Sequence, residues 1–252
     1  MKRSDVGGPG RIVLPRNFDR RGFLAAGGAS LATLLFGACD AQGPEKAQRL
    51  LAYAERKNEA VERALFSHRS MDHARPGAAV AGDEFPSYFV SDVVPAWDAA
   101  LHGAWRLEVA GMVRRPLSLS LDDLMRIERK TQRVNHYCVE GWTAVAEFTG
   151  APLRTIADLA GADPRAGYVD FQSFDDGYHE SWDVESATHP QTLIVYAKDG
   201  ALLSPAYGAP ARVHSPVKLG YKNTKYLTRV VFMPERNGGY WTDMGYEWYG
   251  GV

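Results

Sequence analysis

The sequence predicts an α+β domain of mixed β-sheets with short flanking helices. Runs of apolar and β-branched residues that are typical of strands outnumber the helical segments, and turn residues separate them. The helical segments do not alternate regularly with the strands, as a doubly wound parallel sheet requires. The chain has 252 residues. Roughly 210 of them follow an N-terminal export segment, which is enough for one domain with a sizeable core.

Residues 1–43 predict a twin-arginine export signal. Arg20 and Arg21 precede two apolar residues, and an uncharged stretch rich in alanine, glycine and leucine follows from Ala25 to Ala38. An uncleaved anchor helix is the alternative, although this stretch is shorter than the roughly 20 residues of a membrane span. The residues before Cys39 resemble a lipoprotein box, and a lipid there would hold the protein at a membrane face. We expect a bacterial periplasmic protein.

Residues 44–79 are predicted to form an amphipathic helix and a linker. Over residues 45–66, apolar side chains recur at helical spacing among many charged ones. The turn Arg75-Pro76-Gly77 is expected to close this segment. The domain proper then extends over residues 80–252, where we find no internal repeat and no second apolar run of spanning length.

The first elements of the domain are indicated by alternation and by a helix-capping residue. Trp105, Leu107 and Val109 alternate with charged residues, which predicts a strand ending at Gly111. Ser120 precedes a leucine and two acidic residues, a pattern typical of a helix N-cap.

Helix and hairpin signals organise the rest of the domain. Pro152 opens and Gly161 closes a predicted helix. The residues Asp175-Asp176-Gly177 lie between two apolar runs and are typical of a β-hairpin turn. Strands are predicted over 133–138, 168–174, 178–183, 192–197, 211–217 and 226–233.

A cluster of basic residues lies in the last fifth of the chain. Overall charge is balanced, with 29 basic and 30 acidic residues, which gives no support for a nucleic-acid binder. The cluster combines four cations with two short polar side chains: Arg212, Lys218, Lys222, Asn223, Thr224 and Lys225. Such a group beside a glycine-containing turn suits a phosphate-bearing ligand. A solvated basic edge strand is the alternative.

Cys138 is the one cysteine outside the predicted export segment, so the domain can form no internal disulfide. Three interpretations stay open: a packing residue, a nucleophile with His136, His179 or His214 as its base, or a ligand of a soft metal. The spacing of histidines and cysteines does not match a metal site made by protein ligands alone. If Cys138 binds a metal, most of the other ligands must come from a cofactor.

Three segments together resemble a known family. They are Cys138-Val139-Glu140-Gly141-Trp142, Gly208-Ala209-Pro210-Ala211-Arg212 and Gly220-Tyr221-Lys222-Asn223-Thr224-Lys225. In this order and at these separations they resemble the molybdenum-cofactor domain of the sulfite oxidase family. The likeness is greatest to its exported bacterial branch, which has methionine-sulfoxide-reducing members. It implies a sulfite-oxidase-type molybdopterin domain that holds one molybdenum–molybdopterin per chain.

The resemblance also implies site residues by position. Cys138 would be the thiolate ligand of molybdenum, with the pterin and oxo or hydroxo groups completing the coordination. The positions that would touch the pterin or hold its phosphate are Phe89, Val90, Ser173, Arg212, Asn223, Thr224 and Lys225. Tyr178 and His179, which follow a predicted turn, are the candidates for the substrate pocket.

The function implied by this resemblance is two-electron oxygen-atom transfer. The substrate would be a small or protein-borne S- or N-oxide, or the reaction would be a sulfite-like oxidation. A membrane cytochrome b-type protein or a soluble cytochrome would exchange the electrons, because the chain has no covalent-haem motif. Tyr207 replaces an asparagine of the methionine-sulfoxide-reducing relatives, which leaves the substrate open. We expect a monomer. A catalytically silent pterin-binding module and a hydrolase using Cys138 are the alternatives.

Overall fold

The structure, a computed structural model, describes residues 45–66, 70–75 and 77–252. The predicted export signal, including Cys39, lies outside the described residues. Within the described parts, no helix has both the length and the apolar character needed to cross a bilayer.

The chain divides at Asn58, and Glu59–Val252 form one compact unit. Helix α1 covers Glu45–Leu65. Its bounds match the predicted amphipathic helix. It ends well before Arg75, so the turn expected to close it does not do so.

Short helices and strands make up the remainder. The helices are α2 Ala99–His102, α3 Leu121–Arg126, α4 Leu153–Ala160, α5 Val184–Ala187 and α6 Tyr240–Asp243. Turns of 3₁₀-helix cover Gly82–Glu84, Pro205–Tyr207 and Gly220–Lys222. The strands are β1 Leu107–Gly111, β2 Leu117–Leu119, β3 Lys130–Tyr137, β4 Thr143–Pro152, β5 Tyr168–Ser173, β6 His179–Asp183, β7 Leu193–Lys198, β8 Ala201–Leu202, β9 Arg212–His214 and β10 Leu227–Met233.

The strands of residues 77–252 form two five-stranded sheets. The first has the order β2-β1-β10-β5-β6, in which β1 and β10 are parallel and the other pairs are antiparallel. The second has the order β3-β4-β7-β8, with β9 also paired to β7, and these pairs are all antiparallel. The predicted α+β class with short helices is therefore confirmed.

Both sheets contribute to one apolar core. It contains fully buried residues of the first sheet, such as Phe171 and Val230, and of the second, such as Ile194. Helix α3 begins with the N-cap that the sequence predicts, because the hydroxyl of Ser120 accepts a hydrogen bond from the backbone N–H of Asp123 at 3.1 Å. A second apolar cluster packs on the other side of the second sheet. Since the core fixes the sheets, the loops at the strand ends have defined positions.

Strand β4 is the main element that the sequence analysis missed. Its residues Thr143–Pro152 include three alanines and a glycine, which have low β propensity and do not stand out as a strand. The strand is fixed instead by its partners, since it pairs with β3 along eight positions and with β7 on its other side. Strand β9 is shorter than predicted and covers only Arg212–His214.

Candidate functional site

A cavity of about 470 Å³ lies where loops from the ends of several strands meet. Its deepest lining residues are buried; Arg212, for example, is 3% exposed. Its outer lining is open to solvent, as in Tyr88, which is 61% exposed. The predicted site residues that line it are Phe89, Val90, Cys138, Ser173, Tyr178, Arg212, Asn223 and Lys225. Eight of the ten residues predicted from sequence therefore share one cavity.

Cys138 is placed in this cavity by the tight loop between β3 and β4. Its backbone N–H donates to the carbonyl of Trp142 at 2.9 Å, and its own carbonyl accepts from the N–H of Gly141 at 3.0 Å. Gly141 has a φ of +88°, a conformation that favours glycine at this point of the turn. The thiol is free and only partly buried. It can therefore reach a group bound in the cavity.

A carboxylate lies beside this thiol. Glu140 Oε2 is 3.8 Å from the sulfur of Cys138, and it accepts hydrogen bonds from Trp142 Nε1 at 2.9 Å and Tyr88 Oη at 3.3 Å. Burial raises the pKa of the Cys138 thiol, and the negative charge of the Glu140 carboxylate acts in the same direction. These surroundings favour the thiol over the thiolate, and a metal cation at the sulfur would reverse that preference.

Two of the four clustered cations have carboxylate partners. Lys218 Nζ lies 2.8 Å from Asp183, and Lys222 Nζ lies 2.5 Å from Glu180, with all four side chains fully buried. These two lysines hold the loop to strand β6. They form buried ion pairs within the protein, whereas the sequence suggested only a phosphate site or a solvated basic edge strand.

The other two cations, Arg212 and Lys225, form no ion pair with any described residue, and both line the cavity. Arg212 donates to the carbonyls of Tyr207 and Asn223, each at 3.3 Å, while its buried Nε has no hydrogen-bond partner among the described residues. Burial lowers the pKa of Arg212 to about 10 and that of Lys225 to about 7. Arg212 is buried and Lys225 is partly buried, and Asp175 attracts Lys225 without forming an ion pair with it. Positive charge in such a place without an ion pair indicates a site for an anion.

Gly208 lets the chain pass closely over Lys225. It has a φ of +100°, and a Cβ there would lie 2.8 Å from the Cβ of Lys225. A side chain at this position would displace the lysine from the cavity.

Asn223 and Thr224 shape the loop between the two cations. Asn223 Oδ1 accepts from the N–H of Ser215 at 2.7 Å, and its amide nitrogen donates to two carbonyls of the same loop. Asn223 therefore braces the cavity wall with its side chain. Thr224 does not line the cavity, although its buried hydroxyl has no partner within the described part of the chain.

The hairpin turn after β5 fastens a distant segment to the cavity. Asp175 accepts hydrogen bonds from the N–H groups of Val90 at 2.7 Å and Ser91 at 2.9 Å, and its own N–H donates to Ser173 Oγ at 2.8 Å. The ring of Phe89 lies 5.8 Å from Lys225 Nζ. Sequence analysis described Asp175 only as a turn residue and missed this role.

The two residues predicted for the substrate pocket separate. Tyr178 lines the cavity and donates its hydroxyl hydrogen to the carbonyl of Tyr221. His179 is not among the lining residues, and its Nδ1 pairs with Asp170 at 2.9 Å. His179 therefore lies at the start of strand β6, outside the lining of this cavity.

The histidines do not form a nucleophile–base pair with Cys138. His136 lines the cavity, but its Nδ1 is directed at Nε2 of the fully buried His214, 3.3 Å away. Burial, together with the charges of Arg212 and Lys225, lowers the pKa of His136 to about 3. The imidazole thus stays neutral and leaves the positive charge of the cavity to Arg212 and Lys225.

Aromatic rings around the cavity mouth were not predicted as site residues. Tyr221, Tyr240, Trp241 and Tyr246 all line it together with Tyr178. The stretch Gly239-Tyr240-Trp241 is visibly rich in aromatic residues in the sequence. Sequence alone does not indicate that it folds back over the cavity.

The comparisons with known proteins agree with this geometry. The family profile "Oxidoreductase molybdopterin binding domain" matches residues 92–241. A putative protein-methionine-sulfoxide reductase subunit from Azospira oryzae is 37% identical over 248 residues, covering 98% of this chain and 91% of that protein. The protein-methionine-sulfoxide reductase catalytic subunit of Ralstonia nicotianae is 30% identical over 161 residues, with 58% of this chain and 49% of that protein covered. The chain thus spans about half the length of the latter.

Among solved structures, the sulfane dehydrogenase SoxCD from Paracoccus pantotrophus is similar in part. The match has 22% sequence identity and a TM-score of 0.49, and it covers 52% of this chain and 38% of that one.

Proposed function

This chain belongs to the oxidoreductase molybdopterin binding domain family, and on that premise we propose that it reduces an S- or N-oxide in the cavity around Cys138. Family membership makes it a molybdopterin-dependent oxidoreductase of the sulfite oxidase type, with molybdenum–molybdopterin as its cofactor. In the proposed reaction an S-oxide takes up two electrons and two protons and leaves as a thioether and water. The oxide is a small molecule or part of an oxidised protein.

One observation carries the proposal: the buried Arg212 and the partly buried Lys225, neither in an ion pair with a described residue, line the same cavity as a free thiol. A phosphate would supply the negative charge that Arg212 and Lys225 lack, and the buried Nε of Arg212 offers it an unused donor. The sulfur of Cys138 suits a soft metal. The residues present therefore fit a pterin phosphate and its molybdenum. When bound, the cofactor supplies the two-electron chemistry of oxygen-atom transfer.

We assign the residues to roles as follows. Arg212 and Lys225 hold the phosphate, and Cys138 is the protein ligand of molybdenum. Asn223 keeps the loop between the cations in shape, and the hydroxyl of Thr224 remains a candidate for the same phosphate. The pterin lies against Phe89, Val90 and Ser173, and Tyr178 borders the substrate.

The two alternatives have less support. A hydrolase needs a cysteine that ionises readily, whereas burial raises the pKa of Cys138. No histidine in the described part of the chain hydrogen-bonds to its sulfur. A catalytically silent module would keep the pterin site, but the relatives that match are named as reductase subunits.

The electrons come from a separate protein in this proposal. Residues 45–66, 70–75 and 77–252 hold no cluster of three or more histidine, cysteine or acidic side chains that could bind a second metal. A membrane cytochrome b-type protein or a soluble cytochrome is the partner that we propose. We also propose that the protein is a monomer exported to the periplasm through the twin-arginine route, where it remains soluble or is held by a lipid on Cys39.

The direction of the reaction can be tested with purified, molybdenum-loaded protein. Reduced methyl viologen with methionine sulfoxide tests reduction, and ferricyanide with sulfite tests oxidation, with the Cys138→Ser variant as the control. We expect oxidation of the viologen to depend on the sulfoxide and to be lost in the variant. Turnover of sulfite alone would reverse the proposed direction. A loaded protein with neither activity would favour the silent module.

A further inference from the structure

Five aromatic rings that contact one another in series line the cavity, and they are here called the aromatic wall: Tyr178, Tyr221, Tyr240, Trp241 and Tyr246. Tyr178 stacks on Tyr240 with centroids 5.4 Å apart, and Tyr240 meets Trp241 edge-on at 5.4 Å. Trp241 lies 5.0 Å from Tyr246, which contacts Tyr221 at 5.4 Å. Each ring therefore contacts the next, and all five line the cavity that a ligand would enter.

The aromatic wall is held by buried charge behind it. The backbone N–H of Trp241 donates to Glu180 Oε1 at 3.1 Å, and the other oxygen of Glu180 lies 2.5 Å from Lys222 Nζ. The carbonyl of Gly238 accepts from the N–H of Ser181 at 3.3 Å. These bonds fix the backbone of the segment without using the rings, which stay available for a ligand.

The lining of the cavity also carries negative charge. Glu140 is exposed there, and its carboxylate is held by Trp142 and Tyr88, whose rings stack with centroids 6.5 Å apart. The cations of the cavity lie deeper, because Arg212 is 3% exposed while Tyr246 is 40% exposed. A ligand in the outer part of the cavity can thus meet both aromatic rings and a carboxylate.

We infer that the aromatic wall recognises a positively polarised, methylated centre, so that it selects dipolar S- and N-oxides and related cations over anions. This inference rests on the proposed function, because it names the part of the oxide that the site recognises. The sulfur or nitrogen of such an oxide is positive and carries alkyl groups, while its oxygen is negative. Ring faces attract the positive centre, and the Glu140 carboxylate disfavours an anion such as sulfite at the same place.

A matched pair of probes separates charge recognition from simple apolar burial. Choline and 3,3-dimethylbutan-1-ol have nearly the same shape, but only choline is positively charged. Both can be titrated calorimetrically into molybdenum-loaded protein, so the readout is binding and not turnover. We expect choline to bind about threefold to thirtyfold more tightly, the range that corresponds to a partly to fully desolvated cation–π contact.

Two substitutions at one position locate the effect. Trp241→Leu keeps an apolar side chain but removes the ring, whereas Trp241→Phe keeps a ring. We expect the preference for choline to fall at least about threefold in Trp241→Leu and to stay within about twofold of wild type in Trp241→Phe. Since only the backbone of Trp241 bonds to Glu180, both variants retain that anchor.

The outcomes distinguish this inference from the proposed function. Equal affinity for the two probes in molybdenum-loaded wild-type protein would overturn the role of the aromatic wall and leave the cofactor assignment intact. The same holds if Trp241→Leu keeps the full preference. Protein that contains no molybdenum after expression in a molybdenum-replete host would instead overturn the proposed function itself.

Discussion

Arg212 and Lys222 are two buried cations of the same cluster, and their replacement should affect two different properties of the protein, cofactor content and stability. Lys222 is paired with Glu180 at 2.5 Å, and neither side chain is exposed. Arg212 is 3% exposed and forms no ion pair with a described residue. We therefore expect Arg212→Ala to lose cofactor and Lys222→Met to lose stability.

The magnitudes follow from what each substitution leaves behind. Without Arg212, a bound phosphate loses a buried charged partner, which costs on the order of 2–5 kcal/mol. That corresponds to a fall in cofactor affinity of about thirtyfold to several thousandfold. Arg212→Lys should recover only part of this, because the planar guanidinium is lost. Without Lys222, Glu180 stays buried and unpaired, which lowers the free energy of unfolding by about 3–5 kcal/mol.

The assay has two readouts on each variant: molybdenum content by mass spectrometry and urea unfolding of cofactor-free protein. We expect Arg212→Ala to contain little molybdenum while its unfolding free energy stays within about 2 kcal/mol of wild type. The reason is that it loses two carbonyl hydrogen bonds together with a desolvated charge. Wild-type molybdenum content in Arg212→Ala would refute the reasoning, as would wild-type unfolding of Lys222→Met.

Other perturbations test separate parts of the account. Asp175→Ala removes hydrogen bonds to the segment 85–91. We therefore expect faster limited proteolysis of that segment and a molybdenum content lowered about tenfold. An unchanged cleavage pattern would contradict this. Since burial lowers the pKa of Lys225 to about 7, its charge is present below pH 7 and lost above it. Calorimetry should then show inorganic phosphate binding to cofactor-free protein weakening up to about tenfold per pH unit above 7, with no such slope in Lys225→Met. Arg20→Lys with Arg21→Lys should keep the folded protein in the cytoplasm on cell fractionation, and normal periplasmic levels would rule out the twin-arginine route.

Most of the residues that short local motifs single out in the sequence lie together in one cavity of the structure. Cys138 follows directly on a strand and is turned into the cavity by Gly141, so its neighbours in sequence decide where it lies. Arg212 and Lys225 were likewise brought to one cavity by loops whose glycines and polar residues are visible in the sequence. The phosphate interpretation of these two stays a prediction, and it is supported by their position in the cavity and by the absence of an ion pair to any described residue.

The sequence does not predict which residues that are far apart in the chain pair with each other. Glu180 is separated from Lys222 by 42 positions, and nothing in either segment indicates which cation of the cluster it neutralises. Of Tyr178 and His179, only Tyr178 lines the cavity. Neighbouring side chains of an extended chain point to opposite sides, which explains why the two residues are separated. The fold of segment 239–246 over the mouth depends on the same distant carboxylate.

The most direct test of the central claim is the molybdenum K-edge X-ray absorption spectrum of purified wild-type protein beside that of Cys138→Ser. We predict about one molybdenum per chain in the wild type, with one more sulfur ligand than in the variant. An identical sulfur count in the two proteins would contradict the assignment of Cys138 as the metal ligand.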